Sequence, residues 1–265
     1  MIISRSMGML RVLGCSGGIG LGCRTTSFLL GERTLLDAGT GVMDLSLDRL
    51  ASIDRVFLTH SHLDHVVSLP LMMDAVGILR SAPIKVYAQL ETLDALRRHL
   101  FNDAIWPDFT QIFVKGFPVG EFHPITIGET VSVNDASGQY LVTAIPAAHT
   151  VAACGYAVSS GDGSLVYTGD TWSTDAFWEI VNQIVDLKHL IIETSFSDSQ
   201  KKTADLSQHL TPSRLAAELL KMKASPKIYI THLKPGDEAG LMQEIVQTVS
   251  PRRVSELRIG DKIHF

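Results

Sequence analysis

Six residues constrain this chain more than any other feature: His60-Ser61-His62-Leu63-Asp64-His65. They set imidazole and carboxylate groups side by side, just after a strand-like apolar run, Arg55–Thr59. Those groups suit zinc and related divalent metals. Four ligands this close do not readily converge on one tetrahedral ion. The turn geometry directs His60 and His62 to one metal, and Asp64 and His65 to a second. The whole chain has 10 histidines, so this cluster is not the product of even scatter.

The surrounding pattern shows how such a site is carried. Strand-like runs are Met9–Gly14, Thr26–Leu30, Thr34–Asp37, Arg55–Thr59, Ile84–Ala88, Thr130–Asn134, Tyr140–Ile145, Gly155–Ser159, Leu165–Thr168, Leu190–Glu193 and Lys227–Thr231. Gly31–Glu32–Arg33 reads as a hairpin turn. Helical spacing runs through Leu63–Leu79, Leu90–Phe101, Thr174–Ile184, Pro212–Met222 and Glu238–Val249. Thr211 before Pro212 reads as an N-cap with proline at the first helical position. Hairpin-like strands first, then strands mixed with helices, predict mixed sheets covered by helices. Several strands end at a metal-binding type of residue: Asp37, His60, Asp170 and His232. If those ends share one edge, their loops gather the ligands. Phe101–Gly120 is the least regular stretch. It is expected to wall the site, meet a partner copy, or pack as a surface loop.

Composition excludes several classes. The chain has 265 residues, 45% hydrophobic and 19% charged, which suits a globular protein read as one domain over residues 1–265. The formal net charge of −5 argues against gripping a long nucleic acid by its backbone. The 3 cysteines, Cys15, Cys23 and Cys154, make no disulfide framework and read as free thiols. The first 14 residues show no signal-peptide pattern, and no run reaches the ~20 apolar residues of a membrane span. A cytoplasmic protein is expected.

His-x-His-x-Asp-His is the signature of the metallo-β-lactamase superfamily, and the chain resembles that family from about Gly14 to His232. The resemblance implies a four-layer αβ/βα sandwich of two mixed sheets. His149, in Ala147-Ala148-His149-Thr150, matches the third histidine of the first metal. Asp170, in Thr168-Gly169-Asp170-Thr171, matches the bridging carboxylate. His232, in Ile230-Thr231-His232-Leu233, matches the last histidine of the second metal. Asp37, in Leu36-Asp37-Ala38-Gly39, matches the early aspartate that supports the site from behind. The implied cofactor is a pair of divalent ions, zinc first, with manganese or iron as alternatives. The implied ligand sets are His60, His62, His149 and Asp170, then Asp64, His65, His232 and Asp170. Histidine at position 62, where the diiron flavoprotein branch has glutamate, favours hydrolysis.

Glu193-Thr194-Ser195-Phe196 followed by His209-Leu210-Thr211-Pro212 resembles the Glu-x-x-Phe…His stretch of the phosphodiesterase branches. There the histidine protonates the leaving group and the glutamate orients it. The resemblance therefore implies in-line attack on phosphorus by a hydroxide shared between the metals, with His209 as general acid and Glu193 as its partner. His62-Leu63-Asp64-His65-Val66-Val67-Ser68-Leu69 is similar to the signature of class II cyclic-nucleotide phosphodiesterases. Pro70 and Met73-Asp74 depart from it. Ribonuclease Z would show Gly-Leu-Pro-Gly where this chain has Ser68-Leu69-Pro70-Leu71. The leading expectation is hydrolysis of a small 3′,5′-cyclic nucleotide, with Lys234 reaching a phosphate oxygen. The rivals are a ribonuclease Z-like endonuclease, another cyclic-phosphodiester hydrolase, and a non-catalytic binding protein. A homodimer is expected from resembling proteins. Gly14-Cys15-Ser16-Gly17-Gly18 fits a serine nucleophile elbow by spacing, but a strand follows it where the elbow needs a helix. A glycine loop passing beneath the metals is the plainer reading.

Overall fold

Tyr140, Val142 and Ala144 alternate along the strand Gly138–Pro146 and are all buried, which sets one sheet face against another. In the computed structural model, residues 8–265 are described; residues 1–7, part of the leader reading, lie outside them. One seven-stranded sheet has the order Lys262–His264, Met9–Gly14, Ser27–Leu30, Thr34–Leu36, Arg55–Phe57, Ile84–Ala88, Gly120–Pro124. The other has the order Val254–Glu256, Lys227–Thr231, Leu187–Glu193, Ser164–Tyr167, Cys154–Ser159, Gly138–Pro146, Thr130–Asp135. Both follow one plan. From Lys262–His264 the first sheet makes three antiparallel pairings and then three parallel ones. From Thr130–Asp135 the second does the same. The sequence shows no repeat; the pairing pattern does.

Three apolar layers hold the stack together. Between the sheets lie Leu10, Phe28, Leu36 and Phe57 against Tyr156, Tyr167 and Ile191. Outside the first sheet, Leu29, Val56 and Val86 pack under Leu69, Met72 and Leu93 of its helices. Outside the second, Val166, Leu190 and Ile228 meet Phe177, Leu215 and Ile245. The sandwich expected from the sequence is present, with the central strands Ser27–Leu30, Thr34–Leu36 and Ser164–Tyr167 buried on both faces.

Local departures have physical causes. The stretch expected as one helix, Leu63–Leu79, is two helices, Leu63–Val66 and Ser68–Val76, followed by a 3-10 turn at Gly77–Leu79. Pro70 has no N–H to continue the ladder. The Ser68 N–H instead donates to the Ala38 carbonyl at 2.9 Å. The Ala38 N–H donates in turn to the His65 carbonyl at 2.7 Å. The break thereby clamps the hexad onto the turn after Asp37. Thr211 does occupy the cap position of Pro212–Leu220, but its side chain makes no capping bond to the helix. Asp198 caps it instead, accepting from the Ser213 N–H at 3.1 Å. In the 101–120 segment, Phe101 and Phe109 are buried in the helix-side core, while Ile105 and Phe113 are exposed. No helix among the described residues is long and apolar enough to cross a membrane.

Candidate metal centre

Several parallel strands deliver a polar side chain from their C-terminal ends to one edge. Asp37 follows Thr34–Leu36, His60 follows Arg55–Phe57, and Asp170 follows Ser164–Tyr167. Glu193 ends its strand, and His232 follows Lys227–Thr231. His149 enters from the end of Gly138–Pro146. Asp37 and His232 sit at φ of 57° and 66°, a left-handed conformation unusual for residues with a Cβ. Such strain, of order 1–3 kcal/mol, persists only where the surroundings impose it.

Three groups of potential ligands result, two that share Asp170 and a third made by Glu193, His209 and His232. His60, His62, His149 and Asp170 bring their donor atoms within 4.8 Å of one another, as do Asp64, His65, His232 and Asp170. Asp170 belongs to both. Its Oδ2 lies 3.3 Å from His65 Nε2, 3.3 Å from His232 Nε2, 3.7 Å from His60 Nε2 and 4.0 Å from His149 Nε2. His232 Nε2 is 3.2 Å from Asp64 Oδ2, and His149 Nε2 is 3.2 Å from His62 Nδ1.

The outer nitrogens of these rings are held from behind. His65 Nδ1 donates to Asp37 Oδ2 at 2.8 Å. His149 Nδ1 donates to the Gln208 carbonyl at 3.2 Å. His60 Nδ1 lies 2.9 Å from Thr59 Oγ1, whose single proton goes to Asp37 at 2.9 Å; the ring N–H is therefore the donor to Thr59. Asp37 also accepts from the Thr59 N–H and the Tyr167 hydroxyl. Each ring then turns its Nε2 inward. His60 Nε2 and His65 Nε2 are buried and have no hydrogen-bond partner. An orphaned buried polar atom costs about 1–3 kcal/mol. Inward lone pairs gathered around a shared carboxylate are the donor set a divalent ion needs, so the residues fit a metal.

The electrostatics point the same way. Burial pushes the His60 imidazole well below its ordinary value, and burial lowers His149 to about 4. Burial would lower His65 too, but the carboxylates of Asp170 and Asp37 outweigh it and raise it well above 6.5, so a proton competes for the Nε2 lone pair that a cation would take. Burial would raise Asp170, yet His232 and His65 hold it well below the carboxylate range. The centre thus keeps its carboxylates charged inside an apolar surround, a state that calls for cations.

Beside it stands the second pair read from the sequence: His209 Nδ1 and Glu193 Oε1 are 2.8 Å apart, both buried. The His209 ring stacks on His232 at 5.1 Å. Burial would lower the His209 pKa, but Glu193 raises it. Lys234 Nζ donates to the Gly17 carbonyl at 2.6 Å and lies 5.9 Å from the Phe196 ring centre. It borders the centre rather than joining it. The glycine loop does pass against the site. A Cβ on Gly17 would sit 2.8 Å from His232 Nδ1. Gly17→Ala is expected to cost about 1–3 kcal/mol in urea unfolding and to weaken metal binding, because the loop cannot recede without moving His232. Ser16 Oγ donates to the Leu233 carbonyl at 3.3 Å, a structural contact. Thr59, Tyr167, Ser195 and Gln208 escaped sequence reasoning. The only signal was adjacency: Thr59 precedes His60, and Ser195 lies inside the Glu193 motif.

Residues 32–233 match the family model described as beta-lactamase superfamily domain. The chain belongs to that family. It has the metallo-β-lactamase fold, with side-chain clusters suited to metal. A probable 3′,5′-cyclic-nucleotide phosphodiesterase of Yersinia pestis is 28% identical over 232 residues, 79% of this chain and 64% of that protein. The chain thus spans just under two thirds of that relative's length. A ribonuclease Z of Bradyrhizobium sp. is 28% identical over 237 residues, 71% of this chain and 75% of that protein. Among solved structures, unliganded yeast PDE1 superposes with a TM-score of 0.78 at 18% identity, covering 98% of this chain and 100% of that one. That likeness is one of fold.

Proposed function

We propose that this superfamily member is a binuclear metal phosphodiesterase that hydrolyses 3′,5′-cyclic nucleotides to 5′-nucleotides. The observation that carries the reading is the conjunction of two ligand groups sharing Asp170 with a Glu193–His209 pair beside them. His60, His62, His149 and Asp170 would hold one ion, and Asp64, His65, His232 and Asp170 the other, zinc in both cases. Such ions supply positive charge against the phosphoryl oxygens and make water acidic near neutral pH. Asp37 keeps His60 and His65 turned inward, so the site is shaped before any ligand arrives. Glu193 fixes the Nδ1–H of His209 and leaves its Nε2 to deliver a proton to the departing ribose oxygen. Lys234, beside the centre, offers an ammonium to a phosphate oxygen. Because both sheets contribute ligands, the centre needs the chain from Asp37 to His232 folded as one unit.

The Yersinia pestis relative and the net charge of −5 support a small cyclic substrate. The ribonuclease Z relative supports a second reading, cleavage of RNA by the same groups. The test is turnover of cyclic AMP by zinc-loaded protein, with products separated as 5′-AMP or 3′-AMP and a tRNA precursor run in parallel. Fast release of 5′-AMP, lost in Asp64→Ala, is the expected result. Cleavage of the precursor with cyclic AMP untouched would transfer the reading to ribonuclease Z. Neither reaction, from a protein binding less than one metal per chain, would leave a binding protein.

A further inference from the structure

Two buried carboxylates organise the rings around this centre, and they do it in the same way. Asp37 touches His65 directly and reaches His60 through the hydroxyl of Thr59. Glu193 touches His209 directly, and its other oxygen lies 3.1 Å from Ser195 Oγ. Ser195 Oγ lies 2.9 Å from His232 Nδ1. Ser195 is 1% exposed, so no bulk water competes for these contacts.

A hydroxyl has one proton. Here its candidate acceptors are the Glu193 carboxylate at 3.1 Å, the His232 carbonyl at 3.2 Å and His232 Nδ1 itself at 2.9 Å; donation to the ring would leave the Ser195 oxygen against the buried carboxylate with no proton between them, which disfavours it. Donation to either oxygen leaves the Ser195 oxygen to accept, and among the described residues the donor facing it is the His232 Nδ1–H. We propose that Ser195 is a positioning residue that fixes His232 in its Nδ1-protonated tautomer and joins it, through Glu193, to His209. The inference rests on the metal-centre reading above. His232 Nε2 is thereby kept as a lone pair facing Asp64 and Asp170, where the second ion would sit. Glu193 also accepts from the Thr171 N–H at 3.2 Å, one residue after Asp170. One carboxylate therefore holds the proton donor, a ligand of the second ion, and the loop carrying the shared aspartate. In the first half of the chain the same arrangement serves two ligands. In the second half it serves one ligand and one free imidazole.

Zinc affinity, measured by competition with a chromophoric chelator, tests this without recourse to turnover. Ser195→Ala and Glu193→Gln are each expected to weaken the second zinc roughly 10–100-fold and to leave the first near its wild-type affinity. Because both act through one chain of hydrogen bonds, the double variant is expected to bind no more weakly than the worse single variant. Ser195→Thr, which keeps the hydroxyl, is expected to restore binding; it carries the test if Ser195→Ala does not fold. Additive losses, wild-type affinity in folded Ser195→Ala, or a folded Ser195→Thr as weak as Ser195→Ala would overturn the proposal while leaving the metal centre in place. A wild-type protein that binds fewer than two zinc ions would remove the metal-centre reading itself, and this inference with it.

Discussion

Asp170→Ala is expected to empty the centre and lower phosphodiester turnover by roughly 10³-fold or more, the several kcal/mol that metal charge contributes to such a transition state. The reason is geometric. The Asp170 carboxylate lies within 4.0 Å of ring nitrogens from four histidines, and it belongs to both ligand groups. Without it, His60, His65, His149 and His232 face one another with no negative charge between them. Asp64 remains, but it contacts only the His65 and His232 side. Elemental analysis of purified Asp170→Ala should therefore find less metal than in Asp64→Ala, which keeps the His60, His62, His149 and Asp170 set. Two tightly held ions in Asp170→Ala would show that the carboxylate is not shared.

The second large effect is expected at His209, and it should depend on the substrate. His209→Ala leaves every proposed ligand in place, so metal content should be unchanged. Turnover of a substrate with an alkoxide leaving group should fall about 10²–10⁴-fold, the usual range for loss of a general acid. A nitrophenyl ester, whose leaving group needs no proton, should lose far less. If His209 is the proton donor proposed above, its acid form is the active one. Burial lowers its pKa, but the Glu193 carboxylate outweighs burial and raises it above 6.5, so the acid form survives to higher pH than in free imidazole. Activity on poor leaving groups should fall as pH rises through that raised pKa, and this fall should vanish in the variant. Equal losses on good and poor leaving groups would count against proton donation.

The candidate ligands are legible because the chain writes them in clusters and at strand ends. The hexad is contiguous, and His149, Asp170 and His232 each follow an apolar run. The hydroxyls that relay Asp37 and Glu193 to further rings are not. Thr59 meets Asp37 across 22 positions and Ser195 meets His232 across 37, distances over which a serine or threonine leaves no pattern. Short edge strands were also silent. Val254–Glu256 and Lys262–His264 have 3 residues each, too few for alternation to register. The helix Lys201–Ser207 was missed because Ala204 is its only buried residue, so it has no apolar stripe to read. The expected helix Leu63–Leu79 is too long because its apolar pattern continues through Pro70, while the break comes where the Ser68 N–H donates to the Ala38 carbonyl.

The strand Lys262–His264 pairs with Met9–Gly14, and Gly8 exchanges both backbone hydrogen bonds with Phe265. On a ribosome these partners emerge far apart in time, with most of this sequence between them. At about 5–20 residues per second, Met9–Gly14 waits roughly 10–50 s for the segment that covers its open edge. Until then that edge is free to recruit a strand from a neighbouring nascent chain.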